Sequence, residues 1–211
     1  MFIIHFMVEN IKEKIAQVSR ELFNANGYQK VSMRQIAEHC GISVGNLTYH
    51  YPHKEDLLML EHDSILNDFL GAVLSGDSRL SGLKGYFTVE CAFLFRILND
   101  PPVAALYADV INVPSLRLRY CRAHYELYCR FMGTPQDEKR AWEATAAMSA
   151  LEYALSSLYT PESFPSYMER VFQSRILFDG GETSSASSLI RDAVSQGMAL
   201  AIGFSDRLGT E

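Results

Sequence analysis

The sequence predicts an all-α protein, and three observations lead to that expectation. Apolar residues recur at three- and four-residue spacing along most of the chain, as the buried face of an α-helix requires. Ser, Thr, Gly and Pro stand where such segments begin and end. No segment shows the apolar–polar alternation that is typical of a strand.

Three helices are predicted before Pro52, at 8–26, 33–40 and 43–51. Gly27 follows the first as a stop signal. Ser32 and Gln35 form the Ser-x-x-Gln pattern of a capping box, which opens the second. Ser43 has the residue type of an N-cap for the short third helix.

The remainder of the chain predicts a helical bundle. Thr134 and Pro135 are expected to cap and open its longest helix, while the stretches 75–78 and 99–102 read as breaks. We therefore divide the chain into a domain at 1–52 and a second domain at 53–211. The predicted helices lie near 53–74, 83–98, 103–112, 115–132, 135–159, 164–178 and 186–203.

Charge and composition narrow the class of protein. The 211 residues are 48% hydrophobic, which allows a substantial core, and they carry a net charge of −6. Such a charge argues against non-specific coating of nucleic acid, so any DNA contact has to come from a local patch. The first sixty residues hold six basic and six acidic side chains, so the acidic excess lies in the rest of the chain.

The cysteines predict neither a metal site nor a disulfide framework. Cys40, Cys91, Cys121 and Cys129 are widely spaced and include no CxxC pair, so we expect free thiols, no metal, no cofactor and a cytoplasmic protein. The apolar opening at 1–7 is too short for a signal peptide. No apolar run approaches the ~20 residues that span a bilayer, so no membrane partner is expected.

Residues 32–51 carry the pattern of a helix-turn-helix. Ala37 is small where two helices would cross, and Gly41 stands where the turn needs a positive φ. Leu47 is placed to lock the second helix onto the first, and Ile36 and Ile42 complete the small core. A helix-turn-helix places its second helix in the major groove of DNA.

The outward residues of that second helix suit contacts with base edges, because they are small or can form hydrogen bonds. Gly45 costs a helix about 1 kcal/mol relative to Ala, which close approach to DNA would explain; the alternative is that it eases the helix start. The outward residues are Val44, Gly45, Asn46, Thr48 and Tyr49.

Phosphate contacts are expected around the same helix. Arg34 lies at the start of the preceding helix, where backbone N–H groups also attract anions. Ser43 and His50 bound the reading helix, although His50 is equally consistent with a structural histidine. Lys54 opposes the dipole of the next helix, which an external anion would explain. The alternative for Lys54 is a surface pair with Glu55 or Asp56.

The run from Val31 to Leu57 resembles the DNA-binding domain of the tetracycline-repressor (TetR) family. Thr48 stands where that family usually has tyrosine, and Tyr51 where it usually has phenylalanine. The resemblance implies a homodimer whose first three helices bind double-stranded DNA at a palindromic operator. It also implies a C-terminal helical domain that dimerises and often binds a small-molecule effector.

Small side chains in the second domain predict the dimer face. They are concentrated in 135–159, our first choice, and in 186–203, our second; packing within one chain is the alternative for both. Large rings between 83 and 131 predict an apolar effector pocket, against the alternative of plain core. The nominated pocket residues are Tyr86, Phe95, Tyr107, Tyr125 and Tyr128.

No nucleotide-binding or catalytic motif is present, so we expect no enzyme. Glu152 and Tyr153 are interpreted as interface or capping groups. The favoured hypothesis is a ligand-responsive repressor. A helix-turn-helix regulator or adaptor without small-molecule gating is the alternative.

Overall fold

The computed structural model describes residues 2–75, 80–156 and 159–208. Across these ranges the chain is helical and contains no strand, so the all-α prediction is confirmed. Short 3-10 helices lie at Tyr28–Lys30 and Pro161–Ser163. The α-helices are α1 (Phe2–Asn26), α2 (Met33–Cys40), α3 (Val44–His50), α4 (Lys54–Ser75), α5 (Gly82–Leu98), α6 (Pro101–Asn112), α7 (Pro114–Met132), α8 (Glu138–Ser156), α9 (Phe164–Phe178) and α10 (Thr183–Leu208).

Most predicted helix boundaries agree with the structure within a few residues, and α9 coincides with its prediction at 164–178. The predicted start at Thr134 and Pro135 was wrong, because α8 begins at Glu138. The Asp137 carboxylate caps that helix by accepting a hydrogen bond from the Arg140 backbone N–H at 2.9 Å. Of the predicted break at 75–78, residues 76–78 lie outside the described residues.

The chain forms two compact units. The first contains the chain up to Ser64 together with Pro101–Leu116, and the second contains Ile65–Asp100 and the chain from Arg117 onward. The functional division at 52/53 stays a prediction. In the part of the chain that the structure describes, no helix has both the length and the apolar character needed to cross a membrane.

The core of the first unit joins the three N-terminal helices. Ile15 of α1, Ile36 of α2 and Leu47 of α3 are each fully buried. Phe23 and Tyr28 pack edge to face, with their ring centroids 5.3 Å apart. Burial of such side chains contributes about 1.5–3 kcal/mol each, which holds α3 in a fixed position on α1 and α2.

In the second unit, α10 packs closely on α5. Gly197 allows this approach, because a Cβ there would lie 2.7 Å from the Thr88 carbonyl oxygen and 2.6 Å from the Cys91 Cβ. Ala193 and Ala201 on the same helix are buried as well. These small residues of α10 serve packing within the chain, which was the alternative to a dimer face.

The small residues of α8 divide between two faces. Ala141 and Ala144 are buried within the unit, whereas Ala150 and Tyr153 are exposed. Only the exposed face remains for a partner, so the prediction of a dimer face on this helix is restricted to it.

Candidate nucleic-acid interface

Gly41 makes the turn between α2 and α3. Its φ of 67° and ψ of 32° lie in the left-handed region, as predicted. The Ile42 backbone N–H donates to the Ala37 carbonyl oxygen at 3.0 Å, and the Gly41 N–H donates to the Glu38 carbonyl oxygen at 3.1 Å. These bonds end α2 and redirect the chain into α3.

Apolar contacts then fix the angle of the pair. Ala37 and Leu47 are buried where the sequence predicts the crossing, and Ile36 is buried beside them. Ile42 is only half-buried, so it contributes less to this core than expected. The helix-turn-helix is confirmed as a structure.

Both helices begin at the predicted caps. The Ser32 backbone N–H donates to Gln35 Oε1 at 2.8 Å, and the Gln35 N–H donates to Ser32 Oγ at 3.3 Å, which completes the capping box. Ser43 Oγ accepts from the Asn46 backbone N–H at 3.1 Å. Ser43 therefore caps its own helix, and its contact with DNA stays a prediction.

The outward face of α3 is open to solvent. Tyr49, on the side opposite the buried Leu47, is 83% exposed, and Val44, one turn before Leu47, is 41% exposed. Gly45 and Asn46 are exposed as well. The residues nominated for base contacts are therefore accessible, and Thr48 is accessible in part, on a helix that Leu47 anchors in the core.

Thr48 is oriented by its own helix. Its hydroxyl donates to the Val44 carbonyl oxygen at 3.0 Å and lies 3.2 Å from the Gly45 carbonyl oxygen. The proton is thus directed to the backbone, which leaves the oxygen lone pairs and the methyl group for an outside partner. His50 is half-buried, and its ring contacts Tyr49 edge to face at 5.2 Å.

Gly45 is not required by packing within the chain. A Cβ at this position would meet only Ser43 Oγ, at an ordinary 3.9 Å. Alanine would therefore fit and would favour the helix. The reasons that remain for a glycine are close approach to DNA or an easier helix start.

Arg34 is available for a phosphate. Its side chain is 81% exposed, and Nε lies 2.9 Å from Glu38 Oε1 one turn along α2. An exposed pair of this kind contributes about 0.3–0.5 kcal/mol, so exchanging it for a phosphate contact costs little.

Lys54 has partners that the sequence did not reveal. Its Nζ donates to the carbonyl oxygens of Tyr28 and Val31 at 2.9 and 3.0 Å, and it lies 4.0 Å above the Tyr28 ring. Burial lowers the pKa of its ammonium. Lys54 therefore has a structural role inside the first unit, in addition to which the charge of Glu55 acts on it.

Sequence reasoning missed these partners because 26 residues separate Lys54 from Tyr28. An ammonium has three donors, and the two carbonyl oxygens account for two of them. A phosphate contact through the third stays a prediction.

The nominated effector residues do not form one group. Tyr86 and Tyr128 contact each other edge to face at 5.4 Å, but Phe95 packs on Phe164 and Tyr125 packs on Trp142. Tyr107 belongs to the first unit, whereas the other four belong to the second.

Of the five, Tyr128 lines an open cleft of about 410 Å³, together with Met132, Arg140 and Ile176. The pocket therefore stays a prediction, and the pair Tyr86–Tyr128 is the part of it that the structure brings together.

A buried polar cluster in the second unit was also missed. Glu90 lies fully buried on α5 against His124 of α7, with 2.6 Å between Glu90 Oε2 and His124 Nδ1. Glu152 is fully buried on α8, where the Tyr120 hydroxyl donates to its Oε2 at 2.9 Å. The interpretation of Glu152 as an interface or capping group was wrong, since its side chain faces the core. The sequence signal that could have revealed the cluster is Glu90, a single glutamate in the strongly apolar α5.

The N-terminal part of the chain matches known proteins. The profile of the bacterial regulatory proteins of the tetR family matches residues 15–59. A helix-turn-helix transcriptional regulator of Staphylococcus aureus (strain bovine RF122 / ET3-1) is 33% identical over 63 residues, which are 30% of this chain and 34% of that protein. The regulator QacR of Staphylococcus aureus is 42% identical over 50 residues, 24% of this chain and 27% of QacR.

This chain thus spans between about a quarter and a third of the length of these curated relatives. Among solved structures, TylP, a TetR regulator from Streptomyces fradiae, aligns with 90% of this chain and 99% of its own at 13% identity, with a TM-score of 0.48. The matched residues 15–59 contain the capped α2, the Gly41 turn and α3. Residues 15–59 therefore match the N-terminal domain of the tetR family of bacterial regulatory proteins, and over this part the chain is similar to helix-turn-helix transcriptional regulators.

Proposed function

We propose that this protein is a transcriptional regulator and not an enzyme, and that it binds a palindromic operator in double-stranded DNA as a homodimer. One observation carries the proposal: α3 exposes Val44, Asn46 and Tyr49 to solvent while Leu47 anchors the helix in the core. A short helix held in this way can enter the major groove without losing its orientation.

The side chains of α3 have distinct roles in the proposal. The Asn46 amide is suited to a bidentate contact with adenine, and Val44 to the methyl group of thymine. Thr48 offers its hydroxyl oxygen and its methyl group, because the hydroxyl proton is donated in a hydrogen bond to the Val44 carbonyl oxygen. Arg34, on the adjoining α2, contacts a phosphate and sets the register of the helix on the duplex.

A homodimer explains how so small a contact surface becomes specific. A two-fold axis repeats the reading helix, and two half-sites one turn of DNA apart place the two helices ~34 Å from each other. An operator read in this way is an inverted repeat. We place the protein in the cytoplasm, because its target is DNA and its cysteines are free thiols among the described residues.

The finer proposal is ligand-responsive repression. The dimer without effector holds the operator, and an effector bound in the second unit shifts α4 so that the half-site spacing no longer fits. To move the population from 1:99 to 99:1, the effector has to prefer the released state by about 5.5 kcal/mol.

A regulator without small-molecule gating is the second candidate. The observation that favours it is the close packing of rings in the second unit, where Phe87 stacks on Phe172 with 4.0 Å between centroids. Tyr86 and Phe93 are fully buried in the same core.

The test is selection of binding sites from random duplex DNA with the full-length protein. We expect an enriched inverted repeat, and we expect Asn46→Ala and Thr48→Ala to change the preferred bases within each half-site. Gln17→Ala, an exposed change on α1, is the control and should select the same sequence. Unchanged base preference in both α3 variants would remove these residues from the reading surface.

A further inference from the structure

The core of the second unit contains a group of polar side chains that DNA binding does not use. We call Glu90, Tyr120, His124 and Glu152 the Glu152 cluster. All four side chains are fully buried, and they come from three helices, α5, α7 and α8. Burying so many ionisable groups is costly unless each is satisfied.

One atom of the cluster is not satisfied by the chain. Glu152 Oε2 accepts from the Tyr120 hydroxyl at 2.9 Å. Glu152 Oε1 is completely buried and has no hydrogen-bond partner among the residues that the structure describes. A buried carboxyl oxygen without a hydrogen-bond partner requires an explanation, because nearly all buried polar atoms in folded proteins have one.

The two carboxyl groups of the cluster also differ in their pairing. Glu90 is paired with His124, whose Nδ1 lies 2.7 and 2.6 Å from the two carboxyl oxygens. Arg175, the buried arginine of α9, is paired with Asp179 at 3.0 Å. Among the described residues Glu152 has no ion-pair partner of its own, and the charge of His124, which is paired with Glu90, lowers its pKa only in part. Burial, reinforced by the negative charge of Glu90, raises the pKa of Glu152 to about 8.

The surroundings favour an organic cation. The Tyr120 ring lies on the His124 ring with 4.1 Å between centroids, and Phe93 contacts His124 edge to face at 5.2 Å. No group of three or more His, Cys, Asp or Glu in the described part of the chain is arranged to hold a metal ion. An ammonium group on an apolar body requires only one carboxylate and neighbouring rings.

We propose that the Glu152 cluster is the effector site and that the effector is a protonated amine on an aromatic body, whose ammonium donates to Glu152 Oε1. This inference rests on the proposed ligand-responsive function. Because the cluster is closed, an effector enters only if α8 moves relative to α7, and that movement is the conformational change that binding stabilises.

Binding of the amine at Glu152 changes the number of protons that the protein holds, and this change can be measured. Near pH 7 the Glu152 carboxyl group holds a proton, and the arriving ammonium replaces that proton as the partner of the carboxylate. The carboxyl O–H bond breaks, its proton goes to the buffer, and an N–H···O⁻ bond forms. Binding therefore releases about one proton for each amine bound.

The experiment uses the full-length protein and two matched pairs of probes. Phenethylamine and tryptamine carry the charge, and 2-phenylethanol and tryptophol are their neutral counterparts. We expect the amines to raise the melting temperature and the alcohols to leave it unchanged. Calorimetry at pH 7 in buffers of different ionisation enthalpy should report release of about one proton.

Two variants separate the site from the remainder of the fold. Glu152→Gln keeps the shape of the protonated side chain, so it should fold and lose at least about tenfold in amine affinity, together with the proton release. Glu143→Gln changes an exposed glutamate on the same helix and should bind the amines unchanged.

Each result decides the proposal. Equal binding of amines and alcohols, unchanged amine affinity in Glu152→Gln, or no stabilisation by either amine would overturn it. Release of the operator by a neutral or anionic compound would overturn the amine class while leaving the proposed function intact. Amine binding at Glu152 with no change in operator affinity would confirm the site and refute ligand-responsive repression.

Discussion

At the scale of single residues, the two faces of α3 have opposite requirements. Leu47 is fixed by burial, so its size and shape are set by the chain itself. Gly45 and Asn46 are exposed, and nothing in the chain dictates what they are. Residues of this second kind are where a partner outside the chain determines the sequence.

Gly45→Ala tests that reasoning. We expect a gain of about 0.5–1 kcal/mol in the free energy of unfolding, because alanine fits and favours the helix. We also expect weaker binding to the selected operator, because a methyl group separates the backbone from the DNA. Urea unfolding and fluorescence anisotropy measure the two effects.

The matched control is Gly71→Ala in the exposed part of α4, where an added Cβ also meets nothing within 4 Å. It should gain stability and keep its operator affinity. If Gly45→Ala binds DNA as tightly as the unchanged protein, the glycine only eases the helix start.

Lys54→Met tests the structural role of the buried ammonium. The substitution removes the donors of two carbonyl oxygens and the contact with the Tyr28 ring. We expect the first unit to lose about 1–3 kcal/mol of stability. Arg34→Ala, an exposed basic residue, serves as the control and should leave the melting temperature unchanged. If the Lys54→Met protein has the same melting temperature as the unchanged protein, these hydrogen bonds contribute little to stability.

The same pair of variants tests the phosphate contacts. Arg34→Ala should weaken binding to all DNA sequences alike and lower the slope of log affinity against log salt by about 1. An affinity loss confined to particular sequences would contradict a phosphate role. The slope for Lys54→Met shows whether the third ammonium donor reaches DNA.

At the scale of helices, the sequence predicts caps and turns better than it predicts contacts between residues far apart in the chain. The capping box at Ser32 and Gln35 and the turn at Gly41 depend on residues close in sequence, and both were foreseen. The start of α8 was misplaced because Thr134-Pro135 and Asp137 offer competing signals, and Asp137 makes the cap.

The partners of small and charged side chains could not be predicted in this way. Gly197 allows α10 to approach α5 across more than one hundred residues, as the bond from Cys91 Sγ to the Val194 carbonyl oxygen also shows. Periodicity marks such a face as buried but does not say which helix covers it. The Glu152 cluster was not predicted for the same reason, since its side chains come from three helices.

Gly197→Ala tests the packing of α10 on α5. The added methyl group would lie 2.7 Å from a backbone carbonyl oxygen, so the helices have to separate. We expect a loss of about 1–3 kcal/mol in the stability of the second unit, measured by urea unfolding. Gly203→Ala on the same helix, where a Cβ meets nothing within 4 Å, should not destabilise the protein. Equal stability of the two variants would contradict the close approach.

At the scale of the whole molecule, the charge asymmetry fits the proposed division of labour. The first sixty residues are electrically balanced and carry the exposed face of α3, whereas the acidic excess lies elsewhere in the chain. Specificity then depends on a local surface and not on the overall field, which repels DNA. The second unit buries three ionisable side chains, Glu90, His124 and Glu152, in the Glu152 cluster.

Burial of Glu152 makes stability depend on pH. Its pKa rises from about 4.5, the value expected in the unfolded chain, to about 8 in the folded one. Between these values the folded state holds a proton that the unfolded state lacks, so stability falls as pH rises and levels off above about 8. Glu152→Gln removes this dependence.

Melting curves from pH 5 to pH 9 measure the difference between the two proteins. We expect the unchanged protein to lose stability relative to Glu152→Gln as pH rises across this range. Parallel curves would show that the carboxyl group is not held protonated.

A dimethyl sulfate footprint of the full-length protein on its selected operator tests most directly whether α3 reads DNA. The reagent methylates guanine N7, which lies in the major groove. We predict protection of guanines in two half-sites about one helical turn apart, with Asn46→Ala losing protection within each half-site. Guanines that stay reactive throughout a tightly bound duplex would contradict the placement of α3 in the major groove.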